Sequence, residues 1–296
     1  MSSTKGIKSR IKSVSNTKKV TKAMEMVAAS KMRKATEAVL KTKAYARLSW
    51  ETILRLSMSI NNDHPLLSSK EKSKSIENKK IAIILFTSNR GLCGGFNSSI
   101  ITKLHKSIHK HNTPDNVDII LLGKKGATCH SQYGYNIIAE FTKPDMASGV
   151  ADILTIAKMI TADFINQKYS KVFIAYTDFI NAMKQEPKVK QILPVDISAH
   201  EDLLESIKDK NEYIFEPSPR EVLDELIPRL IEIQIFQALL ESNASEHSAR
   251  MTAMHQATDA ASDMIDELTL SYNKIRQASI TQEIAEIGAG VNAMSK

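Results

Sequence analysis

The residues that could do chemistry in this sequence are few and scattered. TSNRGLCGG at 87–95 follows an apolar run, where an α/β protein carries its phosphate loop. It has the position but not the pattern: no G-x-x-x-x-G-K-[ST] occurs, and its glycines do not fit G-x-G-x-x-G. Lys124 and Lys125 in GKKG also follow an apolar run, and nothing completes a Walker motif around them. Both segments read as tight turns into helices, so no nucleotide and no other cofactor is expected. His105 and His109 stand at i, i+4 with His111 nearby, a spacing that can seat a metal. No carboxylate or cysteine joins them locally, and the better reading is a solvated helix face. Cys93 and Cys129 are too isolated for zinc. Asp263, Asp266 and Glu267 form an acidic cluster that reads as a solvated face rather than a general base. No G-x-S-x-G, H-E-x-x-H or catalytic cysteine signature is present. No catalytic residue and no metal site is predicted, and the chain is not expected to be an enzyme by itself.

Composition narrows the class further. The chain has 296 residues, 42% hydrophobic and 25% charged, enough apolar material for a sizeable core. Ten Gly and eight Pro exclude collagen-like and low-complexity sequence. Two cysteines exclude a disulfide scaffold and fit a reducing compartment. No apolar run approaches the ~18 residues of a membrane span. The start is basic and contains serines, as an organelle transit peptide does, but has no apolar stretch of a secretory signal. The formal net charge of +7 is uneven. Residues 1–55 hold 14 Lys/Arg against three acids, whereas the 78 residues from Pro219 hold six basic and twelve acidic groups. Such ends suit each other as partners.

The elements follow from the punctuation. No Pro precedes Pro65 or follows Pro228, and no Gly lies between Gly6 and Gly91 or between Gly149 and Gly288. Two long stretches therefore lack helix breakers. In the second, Leu240, Ala244, His247, Met251, Met254, Thr258, Ala261, Ile265, Leu268, Tyr272 and Ile275 alternate by four and three, a heptad seam. After Ile275 the stripe shifts to Ile280, Ile284, Ile287 and Val291. Pro219 suits a first helical turn, and Pro228 should kink the helix or delay its start. The first stretch reads as helix from about Thr4 to Ile60, with a seam of Ile7, Ile11, Val14, Ala28, Met32, Ala35, Val39, Ala46, Ile53 and Leu56. Neither helix buries its stripe alone, and an antiparallel coiled coil of the two chain ends solves this for both. The middle alternates strand-like runs, at Lys80–Thr87, Val117–Leu122, Asn136–Glu140, Lys171–Tyr176 and Val189–Val195, with helical patterns at Asn97–His111, Lys124–Tyr133 and Gly149–Lys168. That alternation predicts a mostly parallel sheet. The expected organisation is an N-terminal helix over 1–63, a polar linker over 64–78, a Rossmann-like α/β domain over 79–200, a connection over 201–218 and a C-terminal helix over 219–296.

Three stretches are specific enough to carry a resemblance. Ile11–Lys34 reads IKSVSNTKKVTKAMEMVAASKMRK, Glu246–Asp259 reads EHSARMTAMHQATD, and Leu268–Gly290 reads LTLSYNKIRQASITQEIAEIGAG. With SNRGLCGGFN at 88–97 they resemble, in order and spacing, the gamma subunit of F-type ATP synthase of the bacterial type. The resemblance implies an antiparallel coiled coil and a Rossmann-like domain without a nucleotide. It implies a rotor shaft inside three alpha and three beta subunits, standing on the c-subunit ring with epsilon beside it, and ATP chemistry confined to beta. It places the family helix near Met1, where a transit peptide would otherwise be read. Attachment to the cytoplasmic face of the inner membrane would be peripheral, through the complex alone. By the same resemblance, Met24, Arg250, Arg276, Gln277, Thr281 and Glu283 couple rotor to stator, with Met24 opposite the C-terminal motif. Ile284, Ile287, Val291 and Met294 form an apical bearing. Tyr213 and Glu216 meet epsilon or the c ring at the foot.

Two rival readings come from the residues. One is a coiled-coil adaptor with no rotary role. The other is a nucleic-acid binder using Lys18, Lys19, Lys22, Lys31, Arg33 and Lys34. Residues 1–44 contain no aromatic to stack on bases, which favours a solvated or partner-facing helix face.

Overall fold

The structure, a computed structural model, describes residues 4–59, 66–67, 80–111, 116–195, 216 and 218–294. Helix α1 spans Thr4–Ser59. Strand β1 (Lys80–Phe86), helix α2 (Phe96–His111), β2 (Val117–Leu122), α3 (Thr128–Tyr133), β3 (Asn136–Phe141), α4 (Leu154–Ile165), β4 (Tyr169–Phe179) and β5 (Gln185–Leu193) follow, and α5 spans Pro219–Met294. Short 3-10 turns at Lys124–Ala127 and Val150–Asp152 precede α3 and α4. The chain divides into two compact units, Ala29–Ala249 and Met1–Ala28 with Arg250–Lys296.

In the first unit the sheet has the order β3-β2-β1-β4-β5. β1 to β4 are parallel, and β5 returns antiparallel on β4. β1 and β2 are continuous apolar runs because both sheet faces are covered. Alternate β1 residues serve opposite faces. Ile81, Ile83 and Leu85 join Ile100, Leu104 and Ile108 of α2 and Ile119 and Leu121 of β2. Ala82, Ile84 and Phe86 join Ile156 and Ile160 of α4, Ala35 and Val39 of α1, and α5 from Leu223 to Ala244. From Ile231 to Ala244 every residue of α5 is buried or partly buried, the polar Glu232, Gln234, Ser242 and Asn243 among them. Pro228 lies inside the helix, which starts at Pro219 without delay. β5 begins earlier than the sequence suggests: Pro187 sits within it and is tolerated because β5 is an edge strand. Leu66 and Leu67 are buried, and Leu67 bridges to Val195.

In the second unit α1 and α5 run antiparallel. Thr258 Oγ1 lies 2.8 Å from Thr21 Oγ1, and Lys18 Nζ donates to Ser262 Oγ at 2.9 Å. The heptad positions Met251, Met254, Thr258, Ala261, Ile265, Leu268, Tyr272 and Ile275 are all buried or partly buried. On α1 the seam runs through Ile7, Ile11, Val14, Lys18, Thr21, Glu25 and Ala28. Its middle is therefore polar, and the apolar pattern skips it. Glu25 lies 2.9 Å from Lys22 and 3.4 Å from His255, which also approaches Asp259 at 3.5 Å. Ile53 and Leu56 lie outside the residues whose side chains are described.

Placing cysteines at Thr21 and Thr258 should give one intrachain disulfide on mild oxidation, because the two hydroxyls already meet in the seam. A mobility shift on non-reducing gels, reversed by dithiothreitol, is the readout. Its absence in the folded chain would put the register in error.

Candidate functional site

Ligands of doubly wound sheets bind outside the carboxyl ends of the strands, where the strand order reverses. Here that point lies between β1 and β4. The loops at this edge bond to one another. Thr87 N donates to Leu122 O and Thr87 Oγ1 to Gly123 O, at 2.9 and 2.8 Å. Gly123 N donates to Phe141 O at 2.9 Å, and Lys125 N to Ser88 O at 3.0 Å. Inside the glycine-rich loop, Asn97 Oδ1 accepts from Ser88 N at 2.9 Å and its Nδ2 donates to Ser88 Oγ at 2.8 Å. An amide that bonds its own loop is not presented to a phosphate. The turn reading of 87–95 matches this geometry.

α5 closes the edge further. Asn243 to Ser248, a polar stretch, is buried throughout. Asn243 Nδ2 donates to Pro144 O at 3.1 Å, Ser245 Oγ to Thr177 O at 3.0 Å and Ser248 Oγ to Ala182 O at 2.6 Å. His247 Nε2 lies 3.0 Å from Asp145 O. Lys143 and Glu246 form an ion pair at 2.5 Å, their side chains only 2% and 5% exposed. The Lys143 ammonium stands 5.4 Å over the Phe96 ring, and the Lys143 backbone pairs with the Asn89 side chain. Lys31 reaches Asp145 at 2.9 Å. That hydrogen bond holds the Asp145 carboxyl below its ordinary range against the opposing effect of burial, with the charges of Lys31, His247 and Arg90 adding. The sequence shows EHSARM as a motif but not that it grips the sheet. A helical run of small polar residues without the usual exposed charges, SNASEHS at 242–248, was the available signal.

The other candidates separate. His105 is not on a solvated face: its Nδ1 lies 2.8 Å from Tyr135 Oη and its ring stacks on Tyr133 at 3.8 Å. Burial, then the charge of His109, lowers its pKa. The spacing of α2 gave no hint of this, because Tyr133 and Tyr135 come from another segment. Cys93 and Cys129 are both buried and free, and burial pushes the Cys129 thiol up to about 11. Asp263, Asp266 and Glu267 are exposed, as expected. Among the described residues no group of three or more His, Cys, Asp or Glu is placed to hold a metal. Of the basic cluster, Lys18, Lys22 and Lys31 are engaged by Ser262, Glu25 and Asp145.

The coupling residues are not all brought together. Met24 is partly buried in the seam. The observed register sets it across from about His255, not opposite the motif of Arg276, Gln277, Thr281 and Glu283. That expectation is corrected: heptad periodicity fixes a face but not an axial register. At the same register Thr4 falls near Ile275, so the later residues of α5 continue past the first described residue of α1. Arg276, Gln277, Thr281 and Glu283 are exposed there, with the Thr281 hydroxyl bonded to Gln277 O at 2.9 Å. Arg250 is partly buried. Ile280, Ile284, Ile287 and Val291 are 47–68% exposed, an apolar stripe left uncovered. The sequence sees the same change as a shift of stripe after Ile275. The Met294 side chain and Tyr213 lie outside what is described, and Glu216 is exposed.

A mostly parallel α/β domain in a chain whose two ends pair as an antiparallel coiled coil defines a helical stalk protein. The comparisons agree. The family described as ATP synthase matches residues 3–294. The ATP synthase gamma chain of Legionella pneumophila (strain Corby) is 39% identical over 296 residues, covering 99% of this chain and 100% of that one. That of Pelotomaculum thermopropionicum is 40% identical over 295 residues, with coverage of 99% and 100%. In fold the chain is similar to one from the Euglena gracilis mitochondrial ATP synthase OSCP/F1/c-ring structure, with TM-score 0.68 and 17% identity over 98% of this chain and 94% of that one. It is also similar to one from the Tetrahymena thermophila mitochondrial ATP synthase central stalk and c-ring, with TM-score 0.58 and 25% identity over 80% and 99%. The chain belongs to the ATP synthase gamma chain family.

Proposed function

We propose that this chain is the central rotor of an ATP synthase. In this reading the α1–α5 coiled coil turns inside three alpha and three beta subunits, and the complex rather than this chain hydrolyses or makes ATP. The α/β domain meets epsilon and the c ring, with Tyr213 and Glu216 at that foot. Among the described residues no helix is long and apolar enough to cross a membrane, so attachment runs through the complex, on the cytoplasmic face of the bacterial inner membrane. Two α-helices packed along one seam resist twisting and bending better than one, and a coupled rotor needs that.

The observation that carries the reading is the far end of α5. A helix that continues past its partner with Ile280, Ile284, Ile287 and Val291 exposed calls for an apolar sleeve. A bearing is such a sleeve, because apolar contact holds without directional bonds that would stop rotation. Reconstitution with alpha and beta subunits tests this. The expected result is an ATPase complex in which a bead fixed to this chain rotates. A complex that hydrolyses ATP equally well without the chain would refute it.

Met24, Arg250, Arg276, Gln277, Thr281 and Glu283 are proposed to couple rotor to stator. Met24→Lys adds a cation to the turns carrying Lys18, Lys19 and Lys22, and with it a charge-assisted attraction to carboxylates on beta. A new contact of about 1.5–3 kcal/mol that must break every turn slows the step roughly ten-fold or more. Proton pumping per ATP hydrolysed in membrane vesicles should therefore fall with assembly intact. Second-site changes at Arg250, Gln277, Thr281 or Glu283 should restore pumping, and the last three would act through beta, since the register keeps them away from Met24. Normal pumping, or failure to assemble, would remove Met24 from the coupling set.

A further inference from the structure

The corner where α3 hands over to β3 is held to α2 by histidines, inside the Ala29–Ala249 unit. Gly134 ends α3 in the left-handed conformation, with φ of 72°, and its N–H donates to His130 O at 2.9 Å. That turn sends Tyr135 inward, where it is fully buried. The Tyr135 hydroxyl lies 2.8 Å from Nδ1 of His105 on α2, and the Tyr135 carbonyl lies 2.9 Å from Nδ1 of His130. The His105 ring stacks on Tyr133 at 3.8 Å and meets the His109 ring edge-on at 4.3 Å. Cys129 of α3 is buried in the same cluster. The titratable groups about His105 are thus His109 on its own helix, and Cys129, His130, Tyr133 and Tyr135 across from it. β4 and β5 also pack on α2, and they turn Phe173, Ala175 and Val189 to that side. Lys103 and Lys106 of α2, Lys124 and Lys125 of the turn before α3, and Lys171 of β4 are exposed.

A proton does different things to the two imidazoles that grip Tyr135. A carbonyl only accepts, so His130 donates through Nδ1, and it does so whether neutral or charged. The Tyr135 hydroxyl has His105 as its one hydrogen-bond partner among the described residues, and its hydrogen, shut off from solvent, needs an acceptor. A neutral His105 supplies that acceptor at Nδ1, with its own hydrogen on Nε2. Once protonated, both ring nitrogens donate. The acceptor is then gone, and the tyrosine hydrogen is left buried and unpaired. We infer that His105 is an acid-released latch, holding the α3–β3 corner against α2 while neutral and letting it open when protonated.

Burial, first, and then the charge of His109 lower the His105 pKa. The closed corner therefore holds fewer protons than the open one, and its stability rises with pH. That stability is complete above the ordinary histidine value of about 6.5, and it is lost as pH falls from there through the lowered value. Cys129 and Tyr135, both raised by burial, stay protonated throughout this range.

The test is amide hydrogen exchange of the full chain, read on peptides by mass spectrometry at about pH 7.5 and about pH 5, with rates corrected for the intrinsic pH dependence of exchange. α4 is the internal reference, since it packs on the other face of the sheet. Wild type is compared with two variants. His105→Asn puts Oδ1 near the place of Nδ1, as an acceptor at every pH, and Tyr135→Phe has no hydroxyl to satisfy. On acidification the opening of 128–141 in wild type should rise at least about three-fold relative to α4, and by less than about half as much in either variant. Wild type decides even where a variant does not fold, because a general effect of acid would open α4 as well. No rise at 128–141 in wild type, a rise shared equally by α4, or the same rise in a folded variant overturns the inference.

Discussion

Lys143→Met alone should destabilise the chain by about 3–5 kcal/mol, and Glu246→Leu alone by a similar amount, because each strands a buried charge. The side chains are 2% and 5% exposed, so water cannot take the place of the lost partner. The double variant should recover most of the loss, since both charges then leave together and apolar groups of similar size fill the space. Urea midpoints of the four chains give the coupling directly. Additive losses would mean that the two charges are not a closed pair. The pair matters beyond stability. Lys143 follows β3, bonds Asn89 in the loop after β1 and lies over Phe96 at the start of α2. Glu246 is on α5. One buried contact thus ties the long helix to the loops that leave β1 and β3.

Much of this was legible in the residues. The breaker-free ends and the four-three alternation from Met251 to Ile275 give the coiled coil, and the observed burial follows those positions. The unbroken apolar runs give β1 and β2, because strands covered on both faces leave such a signal, and the partly exposed β3 and β4 follow from the alternation with helices. What was not legible is what depends on neighbours distant in sequence. Lys18, Thr21 and Glu25 are seam positions occupied by polar residues, so they look like a solvated face until Ser262, Thr258 and His255 are set against them. The axial register of Met24 comes from those same contacts. The start of β5 carries Pro187 and alternating charges, which on an edge strand are compatible with pairing but read as loop. The grip of Asn243–Ser248 is the largest omission. Small polar residues carry no period that separates a buried network from an exposed face, and it is the carbonyl groups of Pro144, Thr177 and Ala182 that satisfy them when buried.

Gly123→Ala should destabilise the chain by more than about 3 kcal/mol, and more than Gly126→Ala. Gly123 sits at the end of β2 with φ of 113°, a conformation that L side chains rarely adopt. A Cβ there would stand 2.2 Å from Thr87 O and 2.7 Å from Thr87 C, both backbone atoms that β1 holds in place. The same residue donates to Phe141 O and accepts from Thr87 Oγ1, so moving it opens the ends of β1 and β3 together. At Gly126 the nearest atom is Leu121 Cδ2, at 2.7 Å, the far end of a flexible side chain. That side chain can turn away, and a loss of about 1–2 kcal/mol is expected there. Thermal or urea unfolding ranks the two variants, and equal losses would mean that the loops at this edge are not locked on Thr87. Adding ATP to wild type completes the test. A ligand that binds only the folded chain raises the midpoint by mass action, by about 2.7 kcal/mol at a hundred-fold excess over Kd. With Asn97 occupying the Ser88 amide and Gly123 packed on Thr87, ATP at about 1 mM should leave the midpoint where it was. A stabilisation that grows with ATP concentration would reopen this edge as a nucleotide site.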